Sequence, residues 1–129
     1  MVSINIVAES QSSYADFTVN VVVIALKKSY LTLITDQPEY GIGTVILGSP
    51  PVVEGTGATS SPLTLFGLKN SILSNMIGKT MSRKLTAPVL AVVFIKNEQI
   101  KPEIITKTTM DAVLDAVDQI LKKSPKNQN

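Results

Sequence analysis

Cysteine and histidine are both missing from this sequence, and arginine occurs once, at Arg83. These absences remove whole classes of chemistry. Without Cys or His, neither a Ser-His nor a Cys-His nucleophile pair can be assembled, and zinc loses its usual ligands. A Ser-x-x-Lys dyad would need no histidine, but no serine here has a lysine three residues later. No disulfide can form, which reads by default as an intracellular chain. Aromatic residues are only 5% of the chain and dispersed, so no stacking platform for nucleic-acid bases is visible. The remaining cations are lysines scattered along the sequence, whereas nucleic-acid binders usually show a denser patch and use arginine for bidentate contacts. The strongly apolar runs, residues 21–26 and 89–95, fall far short of the ~20 residues that cross a membrane. Residues 1–6 show neither the basic stretch nor the long apolar core of a signal peptide. No partner made of nucleic acid or membrane is therefore expected.

What is present is an ordinary globular balance. The 129 residues suit one domain, and 44% hydrophobic against 17% charged residues excludes disorder throughout. Strand signals dominate the first half. Val2-Ser3-Ile4-Asn5-Ile6-Val7 alternates apolar and polar, and a polar turn is expected around residues 9–13. In residues 17–26, Phe17, Val19, Val21 and Val23 share one face, and from Val21 onward both faces are apolar. Lys27-Lys28-Ser29 reads as a turn into a return strand at 30–35, and residues 41–47 as the next strand of a meander. Residues 48–62, rich in Gly and Pro, read as a long mobile loop, with a short edge strand at 63–66.

Two amphipathic helices are expected in the second half. The first follows a cap at Asn70 or Ser71 and places Ile72, Leu73, Met76, Ile77, Met81 and Leu85 on one stripe, with Lys79, Ser82 and Arg83 opposite. Ala87-Pro88 ends it, and residues 89–95 form an apolar strand of the kind covered on both faces. The second helix is expected after a linker at 97–107, with Thr108 as cap and Met110, Val113, Leu114, Val117, Ile120 and Leu121 at the helical period. Asp111, Asp115 and Asp118 fall on its wet side, and Asp118 with Lys122 is an i,i+4 pair. The expectation is a single α+β domain over residues 1–123, with a frayed polar tail at 124–129. About six mostly antiparallel strands would carry two helices, in the order β-β-β-β-(β)-α-β-α.

No motif carries catalysis. Gly78-Lys79-Thr80 looks like the end of a phosphate-binding loop, but the position that requires glycine holds Leu73 and the tripeptide lies inside a helix, where a glycine allows close packing. Gly41-x-Gly43 fails as a dinucleotide fingerprint, because Ile46 stands at the third glycine. The three aspartates lie on a helix face, which cannot wrap oxygens around a cation. No catalytic residue, cofactor or metal site is therefore expected, and protein binding is what remains. If the chain's own helices do not bury Val22 and Ile24, a partner should.

The order of segments also resembles a known family. Val2-Ser3-Ile4-Asn5, then Phe17-Thr18-Val19-Asn20-Val21 and the hairpin from Ala25 to Ile34, resemble the N-terminal half of the proteasome assembly chaperone 4 family. Met76-Ile77-Gly78-Lys79-Thr80-Met81-Ser82-Arg83-Lys84-Leu85-Thr86, leading into Pro88-Val89-Leu90-Ala91-Val92-Val93-Phe94, is similar to that family's helix and following strand. The related proteasome assembly chaperone 3 family is an open alternative, to which Gly41-Ile42-Gly43-Thr44-Val45 bears a faint likeness. The resemblance implies a non-enzymatic chaperone that forms a heterodimer with its sister chaperone through their sheets. It also implies binding to an α-type subunit of the 20S proteasome, without nucleotide or metal. Val22 and Ile24 are candidates for the dimer face, and Lys79 and Arg83 for a polar contact surface. A cytoplasmic location, extending to the nucleus, is expected. The competing expectation is a small roadblock-, longin- or profilin-like interaction scaffold of another complex.

Overall fold

The computed structural model describes residues 1–50, 59–64 and 71–123, and it is a mixed α+β fold. Six strands, β1 (Asn5–Tyr14), β2 (Phe17–Leu26), β3 (Ser29–Thr35), β4 (Thr44–Ser49), β5 (Thr59–Thr64) and β6 (Val89–Phe94), form one open sheet. Its helices are α1 (Ser71–Leu85) and α2 (Pro102–Lys123), so the element order and class are those expected from sequence. In space the strands run β1-β2-β3-β6-β4-β5, and every neighbouring pair is antiparallel except β3 with β6.

Both helices pack on the same face of the sheet. Helix α2 lies over β1 and β2, and α1 lies over β4, β5 and β6. The face they cover presents Phe17, Val19, Val21, Val23, Ile34, Ile46, Val89, Ala91 and Val93, all at most 5% exposed. From the helices come Leu73, Ile77 and Met81 of α1 and Ala112, Val113, Ala116 and Val117 of α2, each at most 1% exposed. Each fully buried aliphatic side chain stabilises the fold by about 1.5–3 kcal/mol. Gly48 and Gly78 let α1 approach β4 closely: a Cβ at Gly48 would collide with the Gly78 carbonyl.

Several local expectations are corrected. The polar stretch 9–13 is not a turn but the body of β1, paired residue by residue with β2. An edge strand with one wet side can be made of Glu, Gln and Ser, because its partner supplies the backbone bonds. Strand β4 does not continue the meander, since β6 inserts between it and β3. The expected loop at 48–62 is strand at Gly48, Ser49 and residues 59–62; its middle, 51–58, lies outside the described residues, as do Asn70 and residues 65–66 and 124–129. Helix α2 begins at Pro102, whose missing N–H costs nothing in a first turn, so Thr108 is a buried helix-interior residue and not a cap. On α1, Ser82 is buried and bonds the Gly78 carbonyl at 2.7 Å, whereas Ile72 is 72% exposed. The ion pair observed among the described residues is Lys107–Asp111 at 3.1 Å, and not Asp118–Lys122.

Candidate protein-interaction surface

The register fixes what the helix-free face displays. Each strand's alternate residues must point away from the helices. Ile6 of β1 pairs with Ile24, Ile24 with Leu31, and Leu31 with Leu90, which pairs with Leu47. One row along the strands, Val22 pairs with Leu33, Leu33 with Val92, and Val92 with Val45. Two adjacent rows of aliphatic side chains therefore cross most of the sheet with no helix of the described residues above them. Ile6 is 54% exposed, Leu47 48% and Leu90 38%, while Ile24, Leu31, Leu33, Val45 and Val92 are half-buried. Six strands about 4.8 Å apart and about six residues long give a footprint on the order of 600 Å². Interfaces of standard size have about 800 Å² on each side, the same scale.

The expected contact residues separate into two places. Val22 and Ile24 both lie on this face, but Val22 is only 6% exposed, flanked by Glu9 and Leu33 on the neighbouring strands, so Ile24 offers more surface. Lys79 and Arg83 are exposed one turn apart on α1, in the layer on the other side of the sheet. No single flat partner can touch both pairs. Sequence reasoning did not single out Leu31, Leu33, Leu90, Val92, Val45 and Leu47, although their alternation within strands was visible. What was hidden is that both helices fall on one side.

The rim of this face is firmly built. Asp36 accepts the backbone N–H groups of Lys96 and Asn97, both at 2.9 Å, and Thr35 Oγ1 donates to the Phe94 carbonyl at 2.9 Å. These bonds fix the segment after β3, which runs against Phe94: a Cβ at Gly41 would meet its ring at 2.7 Å. Lys96 Nζ lies 5.5 Å from the same ring centroid. Burial, reinforced by the Glu9 carboxylate, raises the Tyr40 hydroxyl above its ordinary 10.0.

The edge beside the face is closed. The Glu9 N–H donates to Gln119 Oε1 at 3.3 Å, and Gln119 Nε2 donates back to the Glu9 carbonyl at 2.8 Å. Lys123 Nζ donates to the Val7 carbonyl at 3.1 Å. One amide side chain thus takes the place of a neighbouring strand, which blocks edge-to-edge pairing there. Association through the face is left open.

Clefts lie among the described residues. A cleft of about 440 Å³ between the helix starts is lined by Ile72, Pro102, Glu103, Thr106 and Lys107, and one of about 350 Å³ at the rim by Gln37, Pro38, Tyr40 and Phe94, among others. Among the described residues no cluster of three metal-ligating side chains occurs, and no helix is long and apolar enough to cross a membrane.

Comparison with known proteins adds the fold's likeness. No family model matches the sequence, and no curated protein does. Among solved structures, a chain described as belonging to a novel chaperone complex for yeast 20S proteasome assembly superposes with a TM-score of 0.60. The match covers 95% of this chain and 98% of that one, at 10% identity. The two share a fold over nearly their whole lengths.

Proposed function

We propose that this chain is a non-enzymatic chaperone for assembly of the 20S proteasome, working as one half of a heterodimer. The single observation that supports this most is the helix-free apolar face, in a fold shared with a chain of a yeast proteasome-assembly chaperone complex. A sister chaperone of the chaperone 3 type would lay its own sheet on this face, about 10 Å away, to make a sandwich with helices outside. Ile24, Leu31, Leu33 and Leu90 form the centre of that contact, with Val22 beneath them. The heterodimer then binds an α-type subunit and favours correct α-ring formation by surface complementarity, with Lys79 and Arg83 offering a polar contact on the outer layer. The complex acts in the cytoplasm and nucleus. It needs neither nucleotide nor metal.

The test is capture of the tagged chain from its native cell, followed by mass spectrometry. A second chaperone of similar size, recovered with 20S α-type subunits and little mature β-ring, is the expected result. Recovery of trafficking or cytoskeletal complexes without proteasome subunits would replace this proposal with the roadblock-, longin- or profilin-like scaffold.

A further inference from the structure

Five of the nine lysines among the described residues gather with Arg83 at one end of the sheet. The β2–β3 turn carries Lys27 and Lys28 at one end of the sheet. Strand β6 starts at that same end, because Val89 pairs with Tyr30 and the Tyr30 N–H donates to the Pro88 carbonyl at 3.1 Å. Helix α1 finishes three residues before β6, so Arg83 and Lys84 in its last turn lie there too. Helix α2 runs parallel to α1 and ends with Lys122 and Lys123, the latter bonded to Val7 beside the end of β2. All six cations are exposed, and none forms an ion pair with a described residue.

Five of the acids among the described residues lie elsewhere. Asp16, Asp36, Glu39, Glu98 and Glu103 occupy turns and starts at the opposite end, about 30 Å away along the strands. Among the described residues, Asp118 lies one turn before Lys122, and Glu9 lies two residues along β1 from Val7. Ordinary helix chemistry does not account for so much charge. Each helix C-terminus carries roughly half a negative charge, so two of them and Asp118 offset about two of the six cations. The turn lysines have no helix end to serve. Moreover, Lys28 holds a left-handed φ of 55°, a conformation in which glycine or asparagine would be less strained.

We propose that this basic end is a docking surface for a carboxylate-rich protein segment, distinct from the helix-free face and independent of any proteasome role. Its makeup favours carboxylates over nucleic acid. Five of the six cations are lysines, which act as point charges, and there is a single guanidinium to clamp a phosphate in bidentate fashion. Among the described residues the exposed aromatics, Tyr14 and Tyr40, both lie at the other end, and Tyr30 at this end is partly buried against the core, so no exposed stacking group accompanies the charge.

A fluorescein-labelled decaglutamate peptide is titrated with the isolated full chain, beside an oligothymidylate of equal length and phosphatidylserine vesicles. The peptide is expected to bind, with affinity falling roughly ten-fold as salt rises from about 20 to about 200 mM. The quadruple variant Lys27→Glu, Lys28→Glu, Arg83→Glu, Lys84→Glu is expected to lose that binding while keeping the parent's far-ultraviolet circular dichroism at the assay temperature. The turn-only pair Lys27→Gln, Lys28→Gln should lose part of it. The far-end triple Lys96→Glu, Lys101→Glu, Lys107→Glu should keep it. No peptide binding at low salt, or equal loss in the far-end variant, would overturn the proposal. Tighter binding of the oligonucleotide or the vesicles than of the peptide would overturn it as well.

Discussion

The two faces of the sheet are built from the same kinds of residue and have opposite fates. On the helix side, valines and isoleucines at most 5% exposed lock against α1 and α2, and backbone meets backbone at Gly48 and Gly78. On the other side, leucines and isoleucines in matching rows stay half-covered or open. Apolar composition alone therefore does not say what is core. The placement of two helices on one side turns one face into the folding core and leaves the other without a helix layer, the face proposed for association.

The largest contrast should come from truncating one residue on each face. Ile77→Ala, beneath α1, is expected to lower stability by about 2–5 kcal/mol in chemical denaturation, because the removed methylenes leave a cavity. Leu90→Ala, on the open face and 38% exposed, should cost well under half as much in the isolated chain. Equal losses would erase the distinction between the faces. Gly48→Ala belongs with Ile77: its new methyl meets a backbone carbonyl that cannot rotate away, and a loss of about 1–3 kcal/mol is expected.

Smaller changes sharpen the helix side. Thr32 and Thr109 are both fully buried, and neither hydroxyl finds a partner among the described residues. Thr32→Val keeps the shape and removes the orphaned group, so stability should rise by about 1 kcal/mol, measured by the denaturation midpoint. Thr86, just past α1, holds φ 54°, where a β-branched residue is strained. Thr86→Gly should stabilise by a similar increment, read as a higher thermal midpoint.

The smallest effect lies at the rim of the open face. The Tyr40 hydroxyl is raised by burial and then by Glu9, so its neutral form is favoured in the folded chain. Its contribution is fully present below pH 10.0 and is lost as pH rises through the raised folded value. Tyr40→Phe should therefore flatten the alkaline limb of the stability profile and leave neutral pH almost unchanged.

Much of the fold could be read in the sequence where the signal was local. Strands β2 and β3 and the buried stripe of α2 follow their periodicity; β6 lies where its apolar run was read, but only one of its two faces is covered, with Leu90 38% exposed on the other. Strand β1 was obscured because Glu9 through Ser13 look like a turn; their strand geometry depends on β2 and on Gln119, far away in the chain. The insertion of β6 beside β4 and the early start of α2 at Pro102 are likewise set by tertiary packing. Val22 and Ile24 were placed by alternation alone, whereas the rest of their face required knowing which strands are neighbours. The basic end was illegible for the same reason, since its residues span 27 to 123.

The absence of cysteine offers the most direct test of the two-faced sheet, because a single introduced thiol reports one position. Leu90→Cys on the open face and Leu114→Cys on the outer side of α2 begin with similar exposure, 38% and 36%. Their rates of maleimide labelling would be compared in the isolated chain and in the presence of the proposed sister chaperone. Labelling at position 90 is expected to slow at least ten-fold on complex formation while position 114 is unchanged. Unchanged labelling at 90, or protection at 114 alone, would contradict association through the helix-free face.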